Sequence, residues 1–129
     1  MKIIAVLEVS ITSGGGFNQA LNTVQQLSKS LEGEFEFSVI STSKENINYL
    51  NLLKIEADYF NITLLDQLLA RLYSGRIWSL ILAKFKITAP FEKLLIKQDC
   101  DLVYFVDNSS RAETLQILNY IVTVWDLSH

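Results

Sequence analysis

The 129-residue chain contains one cysteine, one proline and one histidine, and none of its apolar runs reaches the length needed to span a membrane. A single cysteine, Cys100, excludes an intramolecular disulfide, which fits a reducing compartment. Its neighbours Asp99 and Asp101 are expected to raise the thiol pKa, so we predict a packed cysteine rather than a nucleophile. The first apolar run meets Glu8 too early for a signal peptide. These features predict a cytoplasmic protein.

The charge composition is slightly acidic, with 11 Lys and Arg residues against 14 Asp and Glu residues and a net charge of −3. A dedicated nucleic-acid binder is usually basic, so no nucleic-acid partner is predicted. No cluster of His, Cys, Asp and Glu has the spacing of a metal site, and none is predicted. Half of the residues are hydrophobic, which predicts a large core or an apolar surface that contacts a partner.

Apolar runs and helical patterns alternate along the chain. Strands are predicted at 2–9, 35–40, 57–62, 102–106 and 120–125, and helices at 17–31, 46–54, 64–87, 90–98 and 111–118, with a break near Ser74 and Gly75. This order predicts one α/β domain, a Rossmann-like three-layer sandwich with a mostly parallel sheet. Ligands of such sheets bind beyond the carboxyl ends of the strands. Loops 10–16, 107–111 and 126–129 should therefore meet on one rim.

Three consecutive glycines, Gly14, Gly15 and Gly16, lie between the first strand and the first helix. Backbone N–H groups in such a loop can face a phosphate or a sugar hydroxyl, while a tight turn with close backbone packing is the structural alternative. Gln19 occupies the third glycine position of the dinucleotide fingerprint, and no acid ends the second strand, which argues against NAD. A P-loop is also excluded, because no Gly-Lys-Ser/Thr follows.

The end of the chain carries Asp126 and the only histidine, His129, just past a predicted strand. An acid and a histidine at this spacing can position hydroxyls or transfer protons near neutral pH. A solvated polar loop is the alternative. The chain stops here without a closing helix, so we expect it to be part of a longer protein.

The glycine loop, the segment CDLVYFVDNSS at 100–110 and above all YIVTVWDLSH at 120–129 resemble the N-terminal domain of GT-B glycosyltransferases of family four. The resemblance covers essentially the whole chain. It implies transfer of a sugar, with retention, from a nucleotide-sugar donor to a glycan or lipid-linked acceptor, with no metal or other cofactor. It also implies that residues 1–129 form the acceptor-side half of a GT-B fold. A C-terminal domain would hold most of the donor, so this chain alone is expected to be inactive.

The resemblance also implies which residues contact substrate: Gly14, Gly15, Gly16, Asp107, Asn108, Ser109, Asp126 and His129. Trp125 stands where many members have a histidine that contacts the transferred sugar, and that role is not transferred to it. The catalytic residues are not assigned. The donor-binding basic residues and the acidic pair of the family belong to the C-terminal domain.

A basic stretch runs from Gln67 to Gln98, with six Lys and Arg residues and one Glu. Its cations alternate with aromatic residues, as on surfaces that contact anionic bilayers. The predicted membrane-surface residues are Arg71, Arg76, Trp78, Lys84 and Lys86. Family members with lipid-linked acceptors often use such a region, so the resemblance implies peripheral membrane contact. An ordinary core helix with a solvated basic face is the alternative.

A different class of function also fits the predicted fold. A stand-alone, non-catalytic α/β binding module of flavodoxin-like or receiver-like type would show the same alternation of strands and helices. A receiver would normally have paired acids after its first strand. Glu8 has no adjacent acid, which disfavours a receiver.

Overall fold

The computed structural model describes residues 1–73, 75–85 and 88–124. Its strands are β1 (Lys2–Leu7), β2 (Glu36–Ser41), β3 (Ala57–Tyr59), β4 (Leu102–Phe105) and β5 (Asn119–Val122). Its helices are α1 (Gly15–Leu31), α2 (Lys44–Leu52), α3 (Leu64–Tyr73), α4 (Arg76–Lys84) and α5 (Pro90–Lys97), with 3-10 turns at Ile11–Ser13 and Ala112–Thr114. The alternation confirms the predicted α/β class.

The described strands form one parallel sheet in the order β3-β2-β1-β4-β5. β1 is central, and its Val6 lies opposite Ile40 of β2 and Phe105 of β4. The chain first builds β2 and β3 on one side of β1, then crosses back to place β4 on the other side. The reversal makes the boundary between β1 and β4 the topological switch point, where ligands of open α/β sheets bind.

Both faces of β1 are buried, which explains its unbroken apolar sequence. Ile4 and Val6 contribute to one core cluster, together with Phe91 and Leu95 of α5. Ala5 and Leu7 contribute to the cluster on the opposite face, which contains residues of α1 and α2: Phe17, Ala20, Leu21, Val24 and Leu50. The helices on both faces confirm the three-layer, Rossmann-like architecture.

Helix boundaries follow local chemistry. Thr63 and Asp66 cap α3 reciprocally: Thr63 Oγ1 accepts from the Asp66 N–H at 3.2 Å, and Asp66 Oδ2 accepts from the Thr63 N–H at 3.1 Å. Pro90 occupies the first turn of α5, as predicted. The long helix predicted at 64–87 is divided into α3 and α4, with Gly75 between them.

Cys100 is buried, as predicted. Its Sγ donates a hydrogen bond to the Leu102 carbonyl at 3.3 Å. Burial raises the pKa of the thiol, and the charge of Asp101 adds to the effect. The thiol is therefore a packed group.

The prediction of a helix at 111–118 is wrong. Within this range only Ala112–Thr114 are helical, and they form a 3-10 turn. The cause is Glu92 of α5, which is fully buried below this segment. Its Oε1 accepts from the backbone N–H groups of Gln116, Ile117 and Leu118 at 2.8, 2.7 and 3.1 Å. A distant carboxylate thus takes the donors that a local helix would use.

We predict that Glu92→Ala destabilises the protein, because three partly buried amides lose their acceptor. The expected loss in the free energy of unfolding is about 3 kcal/mol, since each lost hydrogen bond costs roughly 1 kcal/mol. Urea denaturation measures it. Glu113→Ala is the control, since Glu113 is exposed on the same segment. Equal stability of the two variants would contradict this role of Glu92.

Candidate functional site

The candidate site lies where β1 and β4 end, at the switch point of the sheet. Glu8 directly follows β1, and Asp107 follows β4 after one residue. Asp107 Oδ2 accepts from the backbone N–H groups of Val9 and Glu8, at 2.9 and 3.3 Å. One carboxylate therefore connects the two loops that leave the neighbouring strands.

Glu8 lies at the centre of a small polar cluster. Its Oε1 accepts from the Ser109 hydroxyl, and its Oε2 forms an ion pair with Nη1 of Arg111. Only 18% of the Glu8 side chain and 12% of the Arg111 side chain are exposed, so the pair is shielded from solvent. Ser109 Oγ also accepts from the Arg111 N–H at 3.1 Å. The cluster joins residues about one hundred positions apart in the chain.

Both carboxyl groups of the cluster are perturbed by their surroundings. Burial raises the pKa of Glu8, the contacts with Ser109 and Arg111 oppose that rise, and the charge of Asp107 adds to it. Burial also raises the pKa of Asp107, against the opposing effect of the two backbone N–H donors. Asp107 Oδ1 is buried without a hydrogen-bond partner among the described residues. Clustered carboxyl groups with raised pKa values are typical of functional sites.

The loop after β1 is braced by a buried amide. Asn46 of α2 accepts from the Ile11 N–H at 2.9 Å through Oδ1, and its Nδ2 donates to the Val9 carbonyl at 2.8 Å. Nδ2 also donates to Ser41 Oγ at 2.9 Å. These bonds hold the backbone that leads into α1.

The glycines begin α1 rather than forming a loop before it. Gly14 is the N-cap, with φ of 65°, and Gly15 and Gly16 occupy the first turn without a side-chain cap. Among the described residues, a Cβ on Gly14 or Gly15 would meet nothing within 4 Å, and one on Gly16 would lie 3.9 Å from Val9 Cγ2. Close packing against the described residues therefore does not require these glycines. Only Gly14 needs the backbone freedom of glycine, and the face of Gly15 is open.

The structure brings several predicted site residues to the same rim. Gly16 is linked to Asp107 through Val9, which approaches the glycine with its side chain and donates its N–H to the carboxylate. Asn108 is exposed beside them, and Ser109 is buried against Glu8. Asp126 and His129 lie outside the described residues.

The predicted membrane-surface residues lie on α3 and α4. Arg71 is exposed in the last turn of α3, and Arg76 begins α4. Trp78 is 54% exposed, and Lys84 is exposed at the end of α4. Lys86 lies outside the described residues.

Sequence reasoning missed Glu8 and Arg111 as site residues. The available signal was a pair of opposite charges, Glu8 near the end of the first predicted strand and Arg111 at the end of the loop that follows the strand at 102–106. Their partnership depends on β1 and β4 being neighbours, which strand order in the chain does not reveal.

Surface depressions lie on different sides of the sheet in the described part of the chain. One of about 430 Å³ lies at the amino ends of the strands, beside Lys29, Phe37 and Lys54, away from the polar cluster. A smaller one of about 230 Å³ adjoins Arg111. The smaller depression is the better site candidate, because the perturbed groups gather next to it. Over the described ranges, no three His, Cys, Asp or Glu residues are close enough to hold a metal ion.

No protein-family model and no curated protein matches the chain. Among solved structures, a glycosyltransferase from Rickettsia africae ESF-5 superposes on 94% of this chain with a TM-score of 0.51 and 15% sequence identity. The chain has a glycosyltransferase-like fold. It spans 28% of the length of that glycosyltransferase.

We predict that stability depends on pH through Glu8. Its folded-state pKa lies above the ordinary 4.5, so the folded state binds more protons and loses stability as pH rises through the raised value. The excess stability of the wild type over Glu8→Gln should therefore shrink from acid to neutral pH. Thermal unfolding across that range measures it, with exposed Glu45→Gln as control. If the stability difference instead widens from acid to neutral pH, the attraction of the Glu8 carboxylate to Arg111 outweighs the effect of burial on its pKa, which would contradict the prediction.

Proposed function

We propose that this chain is the acceptor-side domain of a retaining, GT-B family four glycosyltransferase. The proposal is supported chiefly by the structural likeness to a glycosyltransferase together with a polar cluster at the switch point. The donor would be a nucleotide-sugar and the acceptor a glycan or a lipid-linked glycan. A C-terminal domain of the same protein would bind most of the donor and complete the site.

The residues of the rim suit sugar hydroxyls. Asp107 Oδ1 is an acceptor with no partner in the described part of the chain, and the exposed Asn108 amide carries both donors and acceptors. The first-turn amides of α1 supply donors and the positive end of the helix dipole. In this proposal Glu8 and Ser109 position the loop after β4 and do not contact substrate. Asp126 and His129 remain predicted substrate-contacting residues.

We predict that oligosaccharides perturb the backbone amides of Gly15, Gly16 and Asp107 in ¹H–¹⁵N spectra of this chain. Gly15→Leu should abolish the perturbation by covering the first turn of α1 from the open side. Asn22→Leu is the matched control, because Asn22 is exposed on α1 two turns further along the same face. Nucleotide-sugars alone should bind weakly, because in this proposal the donor mainly contacts a C-terminal domain.

The same titration tests the rival proposal of a stand-alone binding module. Equal sugar-induced shift changes in wild type and Gly15→Leu, or none in the wild type, would contradict the acceptor-side proposal. The gene sequence beyond codon 129 tests the two-domain arrangement. A second α/β domain with an acidic pair near a basic cluster would support the transferase.

We further propose that α3 and α4 form a surface for peripheral membrane contact. Exposed large apolar side chains cover both helices: Leu64, Leu65, Leu68, Ile77, Trp78, Leu80, Ile81 and Phe85. Ile77 is 74% exposed and Leu80 71%, whereas most apolar residues elsewhere in the described chain contribute to the core. Arg71 and Lys84 add positive charge at the ends of the two helices. Among the described helices, none is long and apolar enough to cross a bilayer.

We predict that the fluorescence of Trp78 shifts to the blue with anionic vesicles and does not shift with neutral ones. The measurement uses a Trp125→Phe background, which leaves Trp78 as the single tryptophan. Ile77→Ser should weaken vesicle binding, because it removes apolar surface from α4. Ile117→Ser is the matched control, since Ile117 is 65% exposed outside these helices. Equal binding by the two variants would contradict the proposed surface.

A further inference from the structure

An open cavity of about 230 Å³, the smaller of the depressions described above, lies between α3 and the loop that follows β4. Its lining consists of Gln67, Ala70, Arg71, Ser110 and Arg111. Two arginines, one glutamine and one serine therefore line the same space, and no carboxylate of a described residue is part of the lining. A surface with two cations and neutral hydrogen-bonding groups favours an anion.

Arg111 is held in place by the polar cluster. Glu8 pairs with its Nη1, and Ser109 Oγ accepts from its backbone N–H. The guanidinium carries five N–H donors, so this pairing leaves others available. Its Nε is buried with no acceptor among the described residues. An anion in the adjoining cavity would offset part of the cost of burying Nε, because it is attracted to the positive charge of the guanidinium.

Arg71 comes from the opposite side of the cavity. It is exposed in the last turn of α3 and forms no ion pair with a described residue. The helix dipole favours a cation at this end of α3, which accounts for one arginine. The dipole does not account for a second arginine facing the same cavity from the loop after β4. Because Glu8 compensates one of the two charges, about one positive charge is left for a ligand.

We propose that this cavity binds a phosphate group carried by an ester. Guanidinium groups match the geometry of phosphate oxygens, and Gln67 and Ser110 supply further hydrogen bonds. The volume is sufficient, since a water molecule occupies about 30 Å³ in the liquid. The site depends only on side chains of this chain and does not rest on the glycosyltransferase proposal.

Two sources supply the same phosphate chemistry. One is a soluble phosphate ester. The other is a lipid headgroup, because Leu64, Leu68 and Arg71 lie at helical spacing on one face of α3. Leu64 is 84% exposed and Leu68 54%, so a bilayer on this face would bring headgroups close to the cavity.

The test is a titration of the ¹⁵N-labelled chain with inorganic phosphate at constant ionic strength. We expect saturable shifts at the amides of Ala70, Arg71, Ser110 and Arg111. Arg71→Gln should weaken phosphate binding about tenfold, the loss expected for one charge-assisted hydrogen bond. Lys97→Gln is the matched control, because Lys97 is exposed at the far end of α5 and the charge change is the same. Arg111→Lys should also weaken binding, since it keeps a cation beside Glu8 but loses the guanidinium fork.

Vesicles with and without phosphatidic acid distinguish the two sources. If Arg71→Gln reduces binding to phosphatidic acid vesicles more than Lys97→Gln does, the site takes a lipid headgroup. If only inorganic phosphate binding is reduced, the site takes a soluble ester. Absence of saturation at the cavity amides, or equal losses for Arg71→Gln and Lys97→Gln, would overturn the proposal. Neither result affects the oligosaccharide titration, whose readout is at Gly15.

Discussion

The Asp107 carboxylate is the contact on which the rest of the rim depends. By accepting the N–H groups of Glu8 and Val9, it sets the path of the chain as it leaves β1. That path turns the Glu8 side chain toward Ser109 and Arg111. One carboxylate with two backbone donors thus determines the geometry of an ion pair and of the loop after β4. The cost is a buried charge, which the raised pKa of Asp107 reflects.

The two sides of this rim differ in chemistry. On the α1 side, the buried Asn46 amide fixes the loop, and the first helical turn carries Gly15, whose Cβ position faces no described residue within 4 Å. The polar groups at this end of α1 are backbone donors. On the α3 side, two arginines and the Glu8 carboxylate supply full charges. A neutral polyol suits the first environment and an anion suits the second. The reason is that the free-energy cost of desolvating a charge is offset only where an opposite charge is present. A phosphorylated or lipid-linked sugar would match both.

The apolar side chains of the protein lie in two kinds of environment. Many of those on β1 and its neighbouring strands are buried in the cores on both faces of the sheet. Helices α3 and α4 leave large side chains such as Leu64, Ile77 and Leu80 in contact with solvent. A third small cluster, around Leu69 and Tyr73, anchors α3 beside the segment that precedes α5. This anchoring holds α3 while its outer face stays uncovered, which is the arrangement expected of an interaction surface.

The sequence by itself determined the α/β class, the parallel sheet and the approximate position of most elements, because hydrophobic periodicity is a local property of the chain. It also placed Asp107 and the glycines on one rim, since parallel strands end on the same side. Only the tertiary structure decided that Glu8 pairs with Arg111 and that Glu92 removes the donors of a helix at 111–118. It alone showed that no described residue lies within 4 Å of the Cβ positions of Gly14 and Gly15. These outcomes depend on contacts between residues far apart in the chain. A local sequence pattern does not specify which distant group will pair with a given donor or acceptor.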